Sequence, residues 1–572
     1  MSSARLAPRD AAKSMLKAAG LLPLAERIAT ALTAPPEYRN YERRFKELKR
    51  RHGYVLGVRL NDARCKQGVA LVCSPSFPEV QIELGLIKGL QLANFVPVVL
   101  ITDTGRECRL LGQHYKLTGV DGIHLWSDFA AEADKRSAAA IVDRYTSMWD
   151  LLEFEHAGVR VGRLAVSTAL RGTYRGFLDL NVPEDRARLI DALAYGMMSA
   201  NAARKILQQF NPDLGLFLDT SYSPIGELFD SCIQNGVEAI QWQQGHKSNA
   251  LIFKRYTPEN YLDHPSSLSA ESWRFVRDMD WTGDHPKQLE KELYSTYASG
   301  DWYSVVGTQF DKTIMEAARL RERLGLDPRK KTAFIFPHIL WDAALFWGKC
   351  LFRDFEQWLV ETVRAAVEND QVNWVIKIHP ANLRLRELLS FDGEPAEVTA
   401  LQKYIGKLPS HITMIPPESE ISSYSLFSIM DYCITVRGTI GMEAARLGIP
   451  VLTGGTGFYD NKGFTIDSDT PEEYLRKIRN IASIPRLSLA QQELAERFAY
   501  AAFLMRPWQA TSVTLRYLPD SKNFVSQGQV NIATKDQWYT ADDLKAFAEW
   551  VAHANKPHEF LGKTAQECRV GL

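Results

Sequence analysis

The sequence of 572 residues has little cysteine and no excess of charge of either sign. Its seven cysteines are odd in number, widely spaced and without a Cys-x-x-Cys pair, which argues against a zinc ribbon, a thioredoxin-like site or a disulfide framework. Lysine plus arginine and aspartate plus glutamate number 68 each, so the basic excess of a general nucleic-acid binder is missing. We therefore expect a protein of the reducing cytoplasm with no nucleic-acid partner.

Long hydrophobic runs are also missing. No stretch of about 18 apolar residues occurs, and residues 1–10 are polar, so we expect neither a transmembrane helix nor a secretory signal. Apolar residues make up 45% of the chain and charged residues 24%, which is ordinary for globular domains that each bury a core. At about 100–200 residues per domain, the length predicts two to four domains.

A basic arm opens the chain. Residues 10–32 fit an interrupted amphipathic helix, and residues 38–52 are dense in arginine and lysine. A basic amphipathic segment can lie on an anionic membrane, here the cytoplasmic face of an inner membrane. The alternative is a helical arm packed on the body with a solvated charged face. The basic residues of this segment are Arg39, Arg43, Arg44, Lys46, Lys49, Arg50 and Arg51.

From residue 68 onward, short apolar runs alternate with longer segments of helical periodicity. Such runs are typical of strands buried on both faces of a parallel sheet, and the alternation predicts βαβ units. We expect one set of strands at 69–73, 95–101, 214–218 and 237–242, and a second set at 332–336, 373–378, 411–415, 432–436 and 450–452.

The two sets of strands define the predicted domain organisation. A helical basic arm spans 1–60, a first α/β domain 61–300, a linker 301–330, a second α/β domain 331–485 and a helical extension 486–572. Within this scheme, the segment 263–301 is expected to be irregular, because it is rich in tryptophan, serine, proline and histidine.

Polar residues follow the ends of several predicted strands, which is where open α/β sheets bind ligands. In the second half, Lys377 and the pair His379-Pro380 leave one strand. A cation and an imidazole there could hold a phosphate, while the proline fixes the turn. The alternative is a purely structural His-Pro turn.

Another strand of the second half runs into Arg437-Gly438-Thr439 and then into a helix with Glu443 in its first turn. Backbone N–H groups at the helix start and the Thr439 hydroxyl suit an anion, and Arg437 can add a bidentate contact. Glu443 can accept hydrogen bonds from a ribose or sugar hydroxyl. The alternative is that the glycine only allows a tight turn and Glu443 only favours the helix start electrostatically.

A glycine-rich segment at 448–465 keeps backbone accessible to a ligand. Taken in order, the motifs resemble the bacterial capsule polysaccharide biosynthesis family, which includes Kdo transferases with GT-B folds. The motifs are His379-Pro380, Arg437-Gly438-Thr439 with Glu443-Ala444, Gly448-Ile-Pro-Val, and Gly457-Phe-Tyr with Gly463-Phe-Thr465. The resemblance is strongest over about residues 370–470. It implies an α/β fold of the GT-B type, with two Rossmann-like domains facing across a cleft and helical N- and C-terminal extensions.

The resemblance also implies an activity. The expected reaction moves a sugar, Kdo or a related acidic sugar, from a nucleotide donor, CMP-linked, to a growing surface polysaccharide or glycolipid. The acceptor would dock on the first half, and no metal or other cofactor is expected, because GT-B enzymes generally need no ion held by an Asp-x-Asp motif. The donor would dock on the second half at Lys377, His379, Pro380, Arg437, Gly438, Thr439 and Glu443.

The first half should supply the catalytic group, either a general base for an inverting enzyme or a carboxylate nucleophile for a retaining one. The candidates are Asp219 at a strand end, His246 in a turn, and Glu79 at a helix start. Their structural alternatives are an Asx turn or helix cap, a hydrogen-bonded loop histidine, and helix-start electrostatics, respectively. Lys254 and Arg255 are candidate contacts to an anionic acceptor, or else a solvated charge cluster.

Three other functions fit the same pattern. A sugar-nucleotide epimerase would need several acid and base groups around one sugar and no acceptor groove. A polyol-phosphate transferase of the teichoic-acid type would prefer a CDP-linked donor and normally has paired catalytic histidines. A non-catalytic scaffold of polysaccharide export would bind nucleotide without turning it over.

Overall fold

A computed structural model of the protein describes residues 36–62, 65, 68–74, 80–102, 107–383, 393–518, 525–553 and 558–562. The helix predicted at 10–32 and the candidate Glu79 lie outside these residues. Among the described residues, the basic N-terminal arm is helix α1 (Pro36–Leu56), which buries Phe45, Val55 and Leu56 in the core of the first half. No described helix combines the length and the apolar character needed to cross a membrane.

The first half is built on a twisted, mainly parallel sheet. Its strands are β1 (Gly68–Ser74), β2 (Phe95–Ile101), β3 (Gly122–Leu125), β4 (Leu214–Phe217), β5 (Glu238–Gln244) and β6 (Ala250–Tyr256). The parallel strands lie in the order β3-β2-β1-β4-β5, and β6 pairs antiparallel with β5. This is the Rossmann-like order, in which the chain reverses direction across the sheet between β1 and β4.

Helices cover both faces of this sheet. They are α2 (Val80–Leu92), α3 (Glu107–Lys116), α4 (Lys135–Val142), α5 (Val161–Thr173), α6 (Pro183–Phe210) and α7 (Ile225–Gln234). The longest, α6, begins with Pro183 followed by two acidic residues and ends at Asn211 in the left-handed conformation. Proline and acidic groups at a helix start and a left-handed residue at its end are the expected capping signals.

The chain crosses to the second half earlier than predicted. The segment expected to be irregular forms α8 (Ala270–Asp278) and α9 (Asp284–Ala298), followed by α10 (Ala317–Arg323). Leu268, Leu289 and Trp302 are buried in the core of the second half. The expectation of an irregular segment is therefore wrong, and residues from about 268 pack with the second half rather than with the first domain predicted to end at 300.

The second half repeats the architecture with an entirely parallel sheet. Its strands are β7 (Thr332–Ile335), β8 (Asn373–Lys377), β9 (Ile412–Ile415), β10 (Tyr432–Thr435) and β11 (Val451–Thr453), in the order β9-β8-β7-β10-β11. The helices are α11 (Phe355–Val367), α12 (Ala396–Tyr404), α13 (Ser423–Leu426), α14 (Ile440–Ala445) and α15 (Pro471–Arg479). The direction of the chain across this sheet switches between β7 and β10, so a ligand is expected beyond the carboxyl ends of these two strands.

The tail returns to the first half and is only partly helical, contrary to the predicted helical extension. After α16 (Leu489–Tyr500) come β12 (Trp508–Gln509), the antiparallel pair β13 (Val513–Leu518) and β14 (Val525–Val530), α17 (Gln537–Thr540) and α18 (Asp542–Ala552). Strand β12 joins the first sheet beside β6, and Trp538, Phe547 and Trp550 are buried in the first core.

Candidate functional site

A cavity of about 390 Å³ lies where the two halves meet. The first half contributes Gln243 at the end of β5, and the crossing segment contributes His264, Ser266 and Tyr303. The remaining wall follows the ends of β7, β8 and β10, which is the switch point of the second sheet. Two Rossmann-like halves around one cleft are the arrangement predicted from the sequence, and the GT-B prediction is confirmed.

All seven residues predicted to bind the donor line this one cavity. Three belong to the end of β8 and the turn after it, and four to the end of β10 and the start of α14. They are Lys377, His379, Pro380, Arg437, Gly438, Thr439 and Glu443. The rule that ligands bind beyond the carboxyl ends of parallel strands therefore located one wall of the cavity.

Arg437 is the most unusual of these residues, because it is 6% exposed and only partly hydrogen-bonded. Its Nη1 donates to the carbonyl of Phe346 at 3.1 Å, and its guanidinium carbon lies 5.7 Å from the centre of the Phe355 ring. Its Nε and Nη2 are buried and have no hydrogen-bond partner among the described residues. Burial lowers the pKa of the guanidinium, which nevertheless stays charged. A phosphate or carboxylate in the cavity would satisfy both nitrogens.

Three histidines face the cavity, each with one ring nitrogen fixed by a backbone N–H. Nδ1 of His379 accepts from Ala381 at 3.2 Å, Nε2 of His338 accepts from the N–H of Arg437 at 3.1 Å, and Nδ1 of His264 accepts from Ser266 at 3.0 Å. Because those nitrogens accept, the other ring nitrogen of each neutral histidine carries the proton.

The same histidines are held neutral. Burial, with the nearby Arg437 charge, lowers the pKa of His338 to about 3, and burial with the Lys377 charge lowers that of His379 to about 4. Burial and the same arginine bring the pKa of His264 well below its ordinary value. At neutral pH the cavity therefore offers three imidazole N–H donors rather than three cations.

Lys377 is a second cationic position in the cavity. It ends β8, is buried, and has its pKa lowered to about 7, first by burial and then by the charge of Lys312. An anionic ligand beside the ammonium would restore its charged form, since an opposite charge raises the pKa of a buried lysine. Arg437 and Lys377 thus prepare the cavity for an anion.

Glu443 sits on the same wall but is engaged with neighbouring hydroxyl groups. Its Oε2 accepts from the Tyr297 hydroxyl at 2.7 Å, and the Thr439 hydroxyl bonds to it as well. Burial raises the pKa of Glu443 to about 7, against the opposing effects of Tyr297 and Arg446. Thr439 also bonds to the Tyr303 hydroxyl, so Thr439 and Glu443 share one hydrogen-bonded group with the two tyrosines.

Asp342 is a cavity carboxylate that the sequence reasoning missed. It lies in the loop after β7, is exposed to the cavity, and accepts the Tyr222 hydroxyl on Oδ1 at 2.6 Å. Its Oδ2 has no hydrogen bond within the described residues. His338 in the same loop was missed too, although it follows the end of β7 and the strand-end rule would have found it.

Of the predicted catalytic residues, Asp219 and His246 are described by the structure and do not line the cavity. Asp219 follows β4 and forms an ion pair with Arg171 at 2.9 Å, and its Oδ1 accepts from the Ser221 N–H at 3.4 Å, which is the Asx turn foreseen as its alternative. His246 is 2% exposed, bonds to Glu292 at 2.7 Å and packs against Phe503, as the loop-histidine alternative expects. Burial, opposed by Glu292, lowers its pKa.

The prediction that Lys254 and Arg255 contact an acceptor is wrong. Every residue of β6 is buried, because the tail covers the outer face of this strand. Nζ of Lys254 donates to Ser267 at 2.6 Å, and Arg255 pairs with Glu238 at 2.6 Å and donates to the carbonyl of Trp550 at 2.9 Å. Both cations hold the tail and the crossing segment in place.

Aromatic side chains form much of the remaining lining. They provide flat apolar faces of the kind on which a nucleobase or a sugar ring stacks. These residues are Trp302, Tyr303, Phe336, Phe346, Trp347, Phe355 and Phe458. Within the described residues, no three histidine, cysteine, aspartate or glutamate side chains are grouped so as to hold a metal ion.

No protein-family model matches the chain, and no curated protein matches it. Among solved structures, it is similar to KpsC, a β-Kdo 2,4 transferase of Thermosulfurimonas dismutans, with 15% identity, a TM-score of 0.31, and coverage of 55% of this chain and 84% of that one. Kdo transferases are the enzymes that the sequence motifs resemble.

Epimerase structures show a comparable likeness. MnaA of S. aureus with UDP has 12% identity, a TM-score of 0.28, and coverage of 76% and 92%. The UDP-GlcNAc 2-epimerase of Neisseria meningitidis bound to UDP-GlcNAc has 12% identity, a TM-score of 0.24, and coverage of 76% and 99%. Since all these TM-scores are below 0.5, function has to be argued from the site itself.

Proposed function

We propose that the protein is a glycosyltransferase that takes a sugar from a nucleotide donor bound in the cavity between its two halves. The observation that carries this proposal is the buried Arg437 at the switch point, with Nε and Nη2 unpaired. Leaving buried polar groups unpaired costs about 1–3 kcal/mol each, so a site that keeps them open is prepared for an anionic ligand. A nucleotide phosphate supplies the charge and the acceptor oxygens that these nitrogens lack.

The rest of the wall suits the other parts of such a donor. The imidazole N–H groups of His338 and His379 can donate to phosphate or sugar oxygens, and the aromatic lining can stack on a base or a sugar. Lys377 gives the cavity a second cation, which favours a donor with a further anionic group. This supports a donor of the CMP-linked acidic-sugar type, with Kdo as the example implied by the motifs.

Asp342 is the carboxylate best placed to act on the bound sugar. It faces the cavity with a free Oδ2, whereas Glu443 is buried and engaged by hydroxyl groups. As a base it would take the proton of an acceptor hydroxyl and give inversion. As a nucleophile it would form a glycosyl–enzyme intermediate and give retention. The anomeric configuration of the product distinguishes the two roles.

The acceptor we propose is a glycan or glycolipid of a surface polysaccharide, and the reaction takes place in the cytoplasm. The exposed arginine and lysine side chains of α1 would allow contact with the anionic face of an inner membrane, where a glycolipid acceptor resides. That contact involves none of the cavity residues and is testable separately.

A second candidate function is epimerisation of a nucleotide sugar. One specific observation favours it: three neutral histidines and two carboxylates, Asp342 and Glu443, surround a single cavity. Several acid and base groups around one sugar are what an epimerase requires.

Product analysis separates these functions. The protein is incubated with CMP-, CDP-, UDP- and GDP-sugars, with and without glycan or glycolipid acceptors, and both nucleotide and sugar products are identified. Nucleotide release with the sugar on the acceptor, lost in Asp342→Asn, supports the transferase. An altered sugar still attached to its nucleotide without acceptor supports the epimerase. Binding without any product contradicts both and favours a scaffold.

A further inference from the structure

The hydroxyl of Tyr222 joins the first half to two residues that line the cavity, Asp342 and Ala343. Tyr222 follows β4 of the first half and is 7% exposed. Its hydroxyl oxygen lies 2.9 Å from the backbone N–H of Ala343 and 2.6 Å from Oδ1 of Asp342, both in the second half. Because the N–H can only donate, the oxygen accepts from Ala343 and its own proton points to the aspartate.

The backbone at this contact has an uncommon conformation. Ala343 has a φ of 47°, in the left-handed region that non-glycine residues seldom adopt. The bond from its N–H to Tyr222 stabilises this turn, and the turn sets the direction in which the Asp342 side chain leaves the backbone. The same hydroxyl therefore fixes both the backbone and the carboxylate.

The guanidinium of Arg171 packs against the face of the Tyr222 ring. The guanidinium carbon of Arg171 lies 4.2 Å from the centre of the Tyr222 ring, and its Nη1 is 2.9 Å from Oδ2 of Asp219. A guanidinium over an aromatic face is attractive and keeps the ring in place. Burial raises the pKa of Asp342, and the charge of Asp219, in the loop after β4, adds to this rise. The Tyr222 hydroxyl from the same loop and Arg171 from α5 oppose it.

We propose that Tyr222, held by Arg171 and its partner Asp219, is a positioning residue that orients the Asp342 carboxylate for catalysis. The proposal rests on the proposed function, in which Asp342 acts on the bound sugar. It gives Asp219 a role different from the catalytic one predicted from the sequence, since Asp219 pairs with Arg171 and does not line the cavity.

The test is Tyr222→Phe, which keeps the ring under Arg171 and removes only the hydroxyl. Asp342 then loses a donor that favours its charged form, so its pKa rises. The acid limb of the kcat/KM pH profile should move up by about one pH unit, and kcat should fall about tenfold. Stabilisation by the nucleotide should not change. Arg171→Met should move the acid limb in the same direction, and Arg171→Lys should restore it in part.

The control is Tyr539→Phe, which removes a hydroxyl from an exposed tyrosine on α17. A Tyr222→Phe enzyme with the kcat and pH profile of the wild type would overturn the proposal. A readout independent of activity is the carboxyl 13C titration of Asp342, assigned with Asp342→Asn, in wild type and Tyr222→Phe. If the wild type turns over no nucleotide sugar, the proposed function is wrong, whereas an unchanged titration of Asp342 shows that the positioning role is wrong.

Discussion

Replacing Glu443 with glutamine should remove a pH-dependent cost to stability. The pKa of this buried carboxyl is raised to about 7, mainly by burial, against about 4.3 in an unfolded chain. Between these two values the folded protein binds more protons at this site than the unfolded chain. By linkage, the contribution of Glu443 to folding stability therefore becomes less favourable as pH rises through this window.

The magnitude follows from the two pKa values. Each pH unit between them costs about 1.4 kcal/mol, so the site costs about 1 kcal/mol at pH 5 and about 3.5 kcal/mol at pH 8. Glutamine cannot ionise, and its amide oxygen can still accept the Tyr297 hydroxyl. We expect the free energy of unfolding of Glu443→Gln, relative to wild type, to rise by about 2–3 kcal/mol between pH 5 and pH 8.

Urea unfolding at pH 5, 6.5 and 8, followed by circular dichroism without nucleotide, measures this difference. The matched control is Glu132→Gln, in an exposed loop, which should show no comparable trend. A stability difference between Glu443→Gln and wild type that stays constant from pH 5 to pH 8 would refute the assigned burial of the charge.

Three further predictions concern the neighbourhood of the cavity and the arm. Lys254→Met removes the ammonium that pairs with buried Glu559 and leaves that carboxylate with its bonds to Ser269 and Ser272. The unfolding free energy, measured by urea unfolding, should fall by about 3–5 kcal/mol, and a variant as stable as wild type would contradict the structural role of Lys254. Gly441→Ala places a Cβ 2.1 Å from the Tyr459 hydroxyl, which donates to the carbonyl of Gly438. The turn should therefore shift, and the stabilisation of the protein by nucleotide in a thermal-shift assay should fall. Undiminished stabilisation would contradict this packing. Four exposed basic residues form a stripe on α1: Arg39, Arg43, Lys46 and Arg50. Reversing their charges should abolish the salt-sensitive sedimentation of the protein with vesicles that contain anionic lipid. A wild-type protein that does not bind such vesicles would contradict membrane contact.

The sequence predicted the parts of the site that depend on local pattern. Buried apolar runs marked the parallel strands, and the polar residues after β8 and β10 marked one wall of the cavity. These predictions succeeded because strand burial and the geometry of parallel sheets are readable from short segments.

The misses depend on contacts between distant segments. Lys254 and Arg255 look like surface charges, yet Glu559 and Trp550, some 300 residues later, cover them. Nothing local indicates that the tail returns to the first half. For the same reason His246, at the end of a strand, turns into the core beside Phe503 instead of the cavity.

Asp342 was missed, and His264, in a second His-Pro pair, was given little weight, for a related reason. Asp342 lies in an irregular loop after β7 without a recognisable motif, and it gains significance only through Tyr222 from the other half. His264 belongs to the crossing segment, which was expected to be an irregular cover. The structure places its ring 4.5 Å from that of Phe458 in a stacked arrangement at the cavity wall.

The central claim is that Arg437 holds the phosphate of a nucleotide donor. Its most direct test is the melting temperature of wild type and Arg437→Met with CMP, CDP, UDP and GDP at matched concentrations. We predict that one nucleotide raises the melting temperature of wild type by mass action. Arg437→Met should lose that rise while melting, without ligand, no lower than wild type, because its unpaired nitrogens are gone.

Selective stabilisation by CMP would support the acidic-sugar donor, and by UDP or GDP a different donor in the same site. An Arg437→Met protein that is stabilised as strongly as wild type, or a wild type that responds to none of the four nucleotides, would contradict the account.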